Sequence, residues 1–512
     1  MSGLMTPLIF FSIAVITVFL RLHSLGEPLE HDLAIYGYFA HYMLGGELLY
    51  TELWDHKPPG IFLAYMAAEL LWGYDASAIT YTGIVFTVIS LAFLFLFLKE
   101  IAGVNTALLG SAIWALASNA LSLEANQPNA ELFLNAFTLM ALWSLAKHRE
   151  GEWRFLFLCG AFFAVASTFK TVAIFPFAAV CLYLVLQVSK TGPPPPRARL
   201  KEGAGKLAVI LLPCVLVWAG VFSYFALAGR FGDFWGAVFE YNRGYAGNIA
   251  LNVWNYFTDP RLLFHLAQKD IWPLPLLSLV WVFVGRKEYG PLRRSFFILF
   301  LAGCMVAVAS PGKYFYHYYQ LLLPPFVVMS ALFFRDMVEH IQAKKNARLA
   351  MALSSIIVLY TSGHLFYSQG TYLRMTPTEI SAKKYGPKPA LAYEVGSFIK
   401  GVSSPCDTVF EWGTGAGIYY YSQRKSAVNT TSLYALFEGR VPKKGDPRLK
   451  RLYADVTAAP PAVFVWDGSS GELRGSVFEE FISERYDRIG EYPPFFVYER
   501  RHGESSGGDG GC

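Results

Sequence analysis

The stretch ITYTGIVFTVISLAFLFLFL, residues 79–98, carries no charged side chain and is long enough to cross a membrane as a helix. A bilayer core of roughly 30 Å requires about 20 apolar residues in helical form. The whole chain shares this character, since 54% of its 512 residues are hydrophobic and only 16% are charged. Soluble domains carry about 25% charged residues, so the composition predicts a protein embedded in a lipid bilayer.

Similar apolar runs accompany this stretch, and together they predict about eleven transmembrane helices within residues 1–366. The predicted helices span residues 5–22, 79–98, 104–121, 130–145, 155–169, 172–188, 207–228, 271–284, 296–309, 321–334 and 349–365. The first run lacks a preceding basic segment and a cleavage site, so we expect a retained helix and not a signal peptide. Another apolar segment, residues 61–72, is too short to span, and we predict an outer-face juxtamembrane helix there.

Basic residues decide the predicted orientation of the chain. Lysine and arginine cluster at residues 99, 147–154, 190–206, 286–294 and 335–348. All of these clusters fall on one side if the helices alternate, and the positive-inside rule assigns that side to the cytoplasm. We therefore predict a cell-membrane protein with a cytoplasmic N-terminus and an extracytoplasmic C-terminus. The net charge of +5 is concentrated in these loops, so we expect the lipid bilayer as a partner and no nucleic acid.

The chain gains charge, proline and glycine after residue 366. Short β-like runs at residues 407–412, 462–466 and 495–499 alternate with helix-like stretches. We predict a small soluble α/β domain at residues 367–512, reached through a Lys- and Pro-containing linker at 376–389. The fold class is then an all-α polytopic membrane protein with outer-face juxtamembrane helices and a C-terminal α/β domain. The glycine-rich run EWGTGAGIYYYSQRK is not taken as a nucleotide fingerprint, because no helix is predicted to follow it.

The first outer loop, LEHDLAIYGYFAHYMLGGELLYTELWDHKPPG at residues 29–60, concentrates the polar chemistry. Tyr36, Phe39, Ala40 and Met43 recur at helical spacing, which predicts a helix lying flat in the membrane interface with one apolar face. An acidic residue precedes this helix, and an Asp-His-Lys-Pro-Pro run follows it. The loop therefore holds acidic groups and a lysine at the depth of a lipid phosphate.

Two residues of this loop are suited to transferring a group from a lipid phosphate. Asp32 can serve as the base that takes a proton from an incoming hydroxyl, and Lys57 can stabilise the departing phosphate. A plainer interpretation also fits the residues. In that interpretation Asp32 only caps its helix, and Lys57 only extends its ammonium into the headgroup region.

The loop closely resembles the first extracytoplasmic loop of glycosyltransferase superfamily C. The nearest match is the bacterial branch related to dolichyl-phosphate-mannose protein mannosyltransferases and to the lipid A aminoarabinose transferase. The family pattern is met at Asp32, Tyr36, Gly45 or Gly46, Tyr50, Asp55, Lys57, Pro58 and Pro59. The chain departs from it at Leu33, where the family often has Glu, and Glu30 could substitute. The resemblance implies a catalytic Asp32, with Lys57, Asp55 and Tyr36 binding the substrate and its phosphate.

The second outer loop, LEANQPNAELF at residues 123–133, resembles a second acidic site of the same family. In that fold the second site faces the first across the cavity. The resemblance implies a catalytic role for Glu131 and offers Glu124 as a further candidate. A plainer interpretation is that both carboxylates are ordinary polar residues of a loop, without a role in the reaction.

A late segment, GKYFYHYYQLLLPP at residues 312–325, resembles a third family motif and makes Lys313 and His317 candidate phosphate contacts. Its aromatic residues also fit a membrane-interface belt. Arg243, in the run EYNRGYAG, is a further candidate phosphate cation. Lys170 lies between two predicted spans, where it could face the cavity or extend to the membrane surface.

The resemblance implies an enzyme, a hexosyl- or pentosyltransferase that uses a polyprenyl-phosphate monosaccharide and inverts the anomeric centre. The acceptor would be an extracytoplasmic glycan, lipid or protein. Two alternatives remain: a glycan polymerase or ligase with a diphosphate-linked donor, and a lipid or solute transporter. Transporters tend to show inverted repeats, and the sequence has none that is evident. The scheme requires no cofactor and no metal, although the His, Asp and Glu content of the first loop leaves a divalent metal open.

Overall fold

The computed structural model describes residues 5–149, 151–188, 196–263, 270–342, 348–437 and 446–501. Most of this part of the chain is helical, and every apolar run predicted from the sequence falls on a helix. The helices up to residue 372 are α1 (Met5–Leu22), α2 (His31–Leu44), α3 (Gly60–Trp72), α4 (Ala76–Ala102), α5 (Val104–Ala117), α6 (Ala130–Lys147), α7 (Trp153–Phe169), α8 (Ile174–Val188), α9 (Pro196–Leu227), α10 (Phe231–Trp235), α11 (Asn242–Ala246), α12 (Ile249–Thr258), α13 (Pro260–Leu263), α14 (Pro273–Val284), α15 (Arg294–Ala309), α16 (Leu323–Gln342) and α17 (Arg348–Tyr372). A π-helix (Gly236–Tyr241) joins α10 to α11, a 3₁₀-helix (Tyr316–Leu322) precedes α16, and strands β1 (Glu288–Tyr289) and β2 (Leu292–Arg293) form a hairpin before α15.

Four helices within the described ranges are long and apolar enough to cross a bilayer: Met5–Leu22, Ala76–Ala102, Lys201–Leu227 and Tyr316–Gln342. Several other helices are apolar but shorter, with 10–17 residues each. A multi-pass membrane protein is thus confirmed in outline. The number of about eleven crossings and the orientation of the termini stay predictions.

The helices of the membrane part pack around a common core, in which Trp114 of α5 and Trp281 of α14 are almost fully buried. Small residues permit close helix approach, since a Cβ on Gly160 of α7 would overlap the carbonyl of Ile210 in α9. Large apolar side chains stay exposed along α1 and α9, as helices that face lipid require.

The middle of α2 is buried on all sides, so the prediction of a single apolar face is wrong, whereas the position of this helix in the membrane interface stays a prediction. Every residue from Leu33 to Ala40 is buried. One side of α2 packs on α3, and another lies beneath the C-terminal part of the chain, where the N–H of Ser426 donates to the hydroxyl of Tyr38 at 2.7 Å. The neighbouring α3 has 13 residues and is about 20 Å long, shorter than a bilayer core. Its place on the outer face stays a prediction.

The C-terminal part is an α/β unit, as predicted. Its helices are α18 (Pro377–Tyr385), α19 (Lys388–Val402), α20 (Gly417–Ser422), α21 (Leu433–Phe437), α22 (Pro447–Ala458) and α23 (Glu479–Arg485), and its strands are β3 (Thr408–Trp412), β4 (Lys425–Ser426), β5 (Val463–Asp467), β6 (Tyr486–Tyr492) and β7 (Phe495–Arg500). The sheet order is β4-β3-β5-β7-β6. Strand β3 is parallel to β4 and β5, and β7 is antiparallel to β5 and β6. The three predicted strands correspond to β3, β5 and β7, whereas β4 and β6 were not predicted.

Two details of the predicted C-terminal part are wrong. The supposed linker at residues 376–389 forms α18 and the start of α19, because Thr376 and Glu379 make a capping box and Pro377 occupies the first turn. The glycine-rich run after β3 does lead into a helix, α20, although this helix has only six residues. The division into domains at residue 366 stays a prediction, and α17 continues beyond that point to Tyr372.

Candidate active site

A polar cavity of about 610 Å³ lies between the start of α2, the Lys-Pro-Pro loop, the 3₁₀ segment before α16 and the C-terminal part. We call it the central cavity. Its lining residues are Glu30, His31, Asp32, Ile35, Asp55, His56, Lys57, Glu124, Tyr245, Tyr314, Phe315, Tyr316, His317, Tyr318, Lys384, Tyr385 and Tyr434. These residues come from stretches that are far apart in the chain, so the cavity exists only in the folded protein.

Asp32 lies in the first turn of α2 and lines the central cavity. Its Oδ2 accepts a hydrogen bond from the hydroxyl of Tyr36 at 3.2 Å and lies 3.4 Å from Nζ of Lys57. Glu30 caps the helix instead, because its Oε2 accepts the N–H of Asp32 at 3.0 Å. The plainer interpretation of Asp32 as the helix cap therefore does not describe this fold.

The pair Asp32–Lys57 is charged at neutral pH. Burial acts to raise the pKa of Asp32, but the ammonium of Lys57 and the rings of His31, His317 and His56 together outweigh it and hold the pKa of Asp32 well below its usual range. Burial likewise acts to lower the pKa of Lys57, and the carboxylates of Asp32 and Asp55 raise it above its ordinary value. An ammonium and a carboxylate are thus held side by side in a cavity large enough for a ligand.

Asp55 shapes the loop that carries Lys57. Its Oδ1 accepts the backbone N–H of Lys57 at 2.7 Å, and the hydroxyl of Tyr50 donates to the Lys57 carbonyl at 2.8 Å. Burial raises the pKa of Asp55 to about 6, with the cation of Lys57 opposing the shift. These bonds fix the turn before the two prolines, so the ammonium of Lys57 points back toward Asp32.

Glu131, predicted to be catalytic, lies outside the lining of the central cavity. It sits in the first turn of α6, is completely buried, and forms an ion pair with Nζ of Lys170. The Lys170 ammonium also lies 3.5 Å from the centre of the Tyr318 ring, which is part of the cavity wall. Glu131 and Lys170 therefore lie behind Tyr318 and do not line the cavity themselves.

The two other predicted outer segments meet at the cavity as the resemblance implied. Nδ1 of His317 lies 2.9 Å from Oε2 of Glu124, and both residues line the central cavity. The side-chain amide of Gln320 donates to the carbonyls of Leu123 and Glu124 at 3.0 and 3.2 Å. These bonds tie the two segments together, so Glu124 shares the cavity with Asp32, and Glu131 does not.

Two predicted phosphate cations lie outside the lining of the central cavity. Arg243 is exposed on α11. Lys313 is half-buried, and its Nζ lies 4.3 Å from the centre of the Tyr245 ring, which does line the cavity. Lys57 and His317, which were also predicted to contact the phosphate, do line the cavity.

Sequence reasoning missed the contribution of the C-terminal part, which supplies Lys384, Tyr385 and Tyr434 to the wall. Nζ of Lys384 lies 2.5 Å from Oε1 of Glu27 and donates to the side chain of Asn126 at 2.7 Å. Burial lowers the pKa of Lys384 and raises that of Glu27, so their attraction does not fully offset desolvation. The capping box at the start of α18 was the sequence signal that could have placed Lys384 on a helix.

The described residues contain no group of three or more His, Cys, Asp or Glu side chains arranged to hold a metal ion. Of the carboxylates that line the cavity, Asp32 is engaged by Tyr36 and Lys57, and Glu124 by His317, while Glu30 and Asp55 accept the backbone N–H groups of Asp32 and Lys57. The cavity thus offers a paired carboxylate and ammonium as its main reactive groups.

The fold and the site define a multi-pass membrane protein whose C-terminal α/β unit covers a charged cavity. The family model described as dolichyl-phosphate-mannose-protein mannosyltransferase matches residues 56–218. No curated protein matches the sequence significantly. The family match covers 163 of the 512 residues, and the chain has the fold of glycosyltransferase superfamily C.

Solved structures share the fold over nearly the whole chain. ArnT from Cupriavidus metallidurans bound to undecaprenyl phosphate has a TM-score of 0.60 at 14% identity, covering 98% of this chain and 99% of that one. The Archaeoglobus fulgidus oligosaccharyltransferase in the apo form has a TM-score of 0.59 at 11% identity, covering 91% of this chain and 70% of that one. AglB from Archaeoglobus fulgidus, in complex with an inhibitory peptide and a dolichol-phosphate, has a TM-score of 0.59 at 11% identity, covering 98% and 75%.

Proposed function

We propose that the chain is a membrane glycosyltransferase that moves a monosaccharide from a polyprenyl-phosphate donor to an extracytoplasmic acceptor, with inversion. The observation that carries the proposal is the Asp32–Lys57 pair, 3.4 Å apart at the surface of the central cavity. The fold is shared with proteins solved with undecaprenyl phosphate and dolichol-phosphate, which supports a lipid-linked phosphate as the ligand. The orientation predicted from the basic loops places the cavity on the extracytoplasmic side.

Lys57 binds the phosphate of the donor in this proposal. The side chain of Lys57 is only 11% exposed and its ammonium is held by Asp32, so an incoming phosphate would replace one anionic partner with another. Once the ammonium turns to the phosphate, Asp32 loses the cation that lowers its pKa. Donor binding would thereby convert Asp32 from an inert ion-pair partner into a stronger base.

Asp32 then removes the proton from the acceptor hydroxyl. The hydroxyl oxygen forms a bond to the anomeric carbon while the bond from that carbon to the phosphate oxygen breaks. The proton ends on Asp32, and the electron pair leaves with the polyprenyl phosphate, whose charge Lys57 stabilises. Displacement from the face opposite the phosphate gives inversion. Tyr36 keeps Asp32 in position through its hydroxyl hydrogen bond of 3.2 Å.

The charge of the cavity favours a monophosphate donor over the diphosphate donor of a polymerase or ligase. Among the described lining residues, the permanent cations are Lys57 and Lys384, and Lys384 already pairs with Glu27. Lys57 therefore faces the ligand as the main permanent cation, with Asp32 and Asp55 close by. A second phosphate would add negative charge for which these residues offer no further ammonium.

The proposal is tested with purified protein in lipid nanodiscs and a panel of radiolabelled monosaccharides, linked either to undecaprenyl phosphate or to undecaprenyl diphosphate. Release of undecaprenyl phosphate is measured with and without membranes from a strain that lacks the protein, which supply the acceptor. We expect release from at least one donor, increased by the membranes. Release from none of the donors, or only from diphosphate-linked sugars, would contradict the proposal.

A further inference from the structure

A second, smaller pocket adjoins the central cavity and is not used by the transfer chemistry. It has a volume of about 290 Å³ and lies between α2, α19 and the glycine-rich run after β3. It shares four lining residues with the central cavity: Glu30, His31, Tyr385 and Tyr434. We call it the loop pocket. A ligand that extends away from Asp32 through these shared residues enters the loop pocket directly.

The loop pocket lies at a point of the sheet where α/β folds bind ligands. Strand β3 has β4 on one side and β5 on the other, both parallel to it, so the chain connections diverge at their carboxyl ends. Ligands of open α/β sheets bind in the crevice at such a switch point. Gly413 lets the loop lie against the sheet edge there, since a Cβ at this position would lie 2.4 Å from Cβ of Asp467.

Polar side chains of the loop pocket are fixed in place by hydrogen bonds. Nζ of Lys388 donates to Oγ1 of Thr414 at 3.0 Å and to Oδ2 of Asp467 at 2.8 Å. An ammonium has three donors, so Lys388 keeps one for a ligand. Nδ1 of His31 lies 2.9 Å from the Thr414 carbonyl, to which it must donate. Burial lowers the pKa of His31, so its ring is neutral and its Nε2 is an acceptor.

The charges of the loop pocket cancel. The cation of Lys388 is paired with Asp467, which is completely buried, and burial raises the pKa of Glu30, a carboxyl that lines the pocket, well above its ordinary value. Glu411, behind the loop, is also buried, and burial together with Asp467 raises its pKa to about 8, so it is mostly protonated at neutral pH. The pocket therefore presents hydrogen-bond donors and acceptors without net charge, beside the rings of Tyr385 and Tyr434.

We propose that the loop pocket binds a neutral sugar residue of a carbohydrate acceptor, with Thr414, Lys388 and His31 bonding its hydroxyls and Tyr434 packing against its ring. Hydroxyl groups match uncharged donors and acceptors, whereas a phosphate would require unpaired cations. A sugar of the acceptor fits the loop pocket better than the sugar of the donor does. The donor must place its phosphate at Lys57, which lines only the central cavity, and its lipid tail must lie in the bilayer. This inference rests on the proposed function and names the acceptor class.

The experiment is saturation-transfer-difference NMR on the full chain in lipid nanodiscs, with maltose, cellobiose and lactose as probes and glucose 6-phosphate as the charged comparator. We expect a signal from at least one neutral disaccharide that exceeds the comparator and persists when undecaprenyl phosphate is added. Thr414→Val should lower the apparent affinity about three- to tenfold, the effect of one hydrogen bond. Thr414→Ser should restore it, and Ser483→Ala, a hydroxyl loss on the surface of α23, should leave it unchanged.

Several outcomes would overturn the inference. They are the absence of signal from all three disaccharides, a stronger signal from glucose 6-phosphate, or equal signals from wild type and a folded Thr414→Val variant. Displacement of the disaccharide by undecaprenyl phosphate, or loss of its signal in Lys57→Ala, would assign the sugar to the donor site instead. Binding of undecaprenyl phosphate to the wild type is measured in parallel. If undecaprenyl phosphate does not bind while the disaccharide does, the proposed donor is wrong, and the assignment of the loop pocket to a neutral sugar is still supported.

Discussion

Nζ of Lys384 lies 2.5 Å from Oε1 of Glu27, and the two side chains are only 1% and 2% exposed. This ion pair joins α18, in the C-terminal part, to the segment that follows α1. Because Lys384 also lines the central cavity, the same residue closes the cavity and anchors the unit that covers it.

Loss of one partner of this pair should destabilise the protein. Lys384→Met leaves the Glu27 carboxylate buried without its cation, which typically costs about 3–5 kcal/mol. The double variant Glu27→Gln/Lys384→Met should recover part of this loss. Thermal unfolding of the detergent-purified variants measures both effects. Lys383→Met, an exposed lysine on the same helix, is the control, and an equal effect of both lysine changes would contradict the buried-pair account.

Asp32→Asn should preserve folding and donor binding but lower turnover by about 10² to 10⁴, the usual contribution of a general base. The amide keeps the shape of the side chain and can still accept from Tyr36, but it cannot take a proton at neutral pH. Transfer from an undecaprenyl-phosphate sugar is the measurement. The control is Asp75→Asn, because Asp75 caps α4 through the N–H of Ser77 and Asn caps about as well. Near-normal turnover in a folded Asp32→Asn variant would exclude Asp32 as the general base.

Lys57→Ala should weaken donor binding as well as catalysis, because the phosphate is charged in both the ground state and the transition state. We expect a higher KM for the donor and a lower kcat, with weaker binding of undecaprenyl phosphate by calorimetry. Lys57→Arg should rescue only in part, since a planar guanidinium replaces a point charge. Arg243→Ala, on the exposed face of α11, should leave both constants near normal. An unchanged KM in Lys57→Ala would argue against the phosphate contact.

The buried Glu411 should make stability depend on pH. Its pKa is raised to about 8, so the folded state binds this proton more tightly than the unfolded state does. The stability that the Glu411 carboxyl contributes is therefore fully present below the pKa of the unfolded state. It is lost as pH rises toward 8, and the free energy of unfolding falls by about 1.4 kcal/mol per pH unit in that window. Glu411→Gln cannot ionise, so its melting temperature relative to wild type should rise between pH 5 and pH 8. The exposed Glu472→Gln should show no such trend, and a flat difference for Glu411→Gln would contradict the assignment.

The orientation of the chain is tested by thiol labelling in intact cells. The native cysteines are replaced by serine, and single cysteines are placed at Glu472 in the C-terminal part and at Glu288 in the hairpin before α15, both of which are exposed. We expect a membrane-impermeant maleimide to label the first position and not the second until the cells are opened. The reverse pattern would invert the predicted topology.

The sequence predicted those helices and strands that are marked by a contiguous run of characteristic residues. An uninterrupted apolar run marks a membrane helix, and the runs at residues 407–412, 462–466 and 495–499 marked β3, β5 and β7. Strand β6 lacks such a run, because only Tyr486 is buried and charged residues such as Asp487 and Glu491 are exposed. The capping box that opens α18 was present in the sequence, but its proline and lysine content suggested a linker.

The candidate site was predicted where a motif keeps its residues close in sequence. Asp32 and Lys57 belong to one predicted outer loop, residues 29–60, and the resemblance of this stretch to a family pattern identified both. The role of Glu131 could not be read in the same way, because its partner Lys170 comes from the end of another helix. Pairings such as that of Lys384 with Glu27 depend on tertiary packing, for which a single sequence gives no local signal.

The bond between Tyr38 and Ser426 has a consequence for the synthesis of the protein. The two residues are separated by 388 positions, and at about 5–20 residues per second a ribosome needs roughly 20–80 seconds to add them. Throughout that interval α2 has been made, but the polypeptide that will cover it has not. The nascent chain therefore holds α2 for this interval without the contacts that later bury it, and the central cavity stays open where Lys384, Tyr385 and Tyr434 will form its wall.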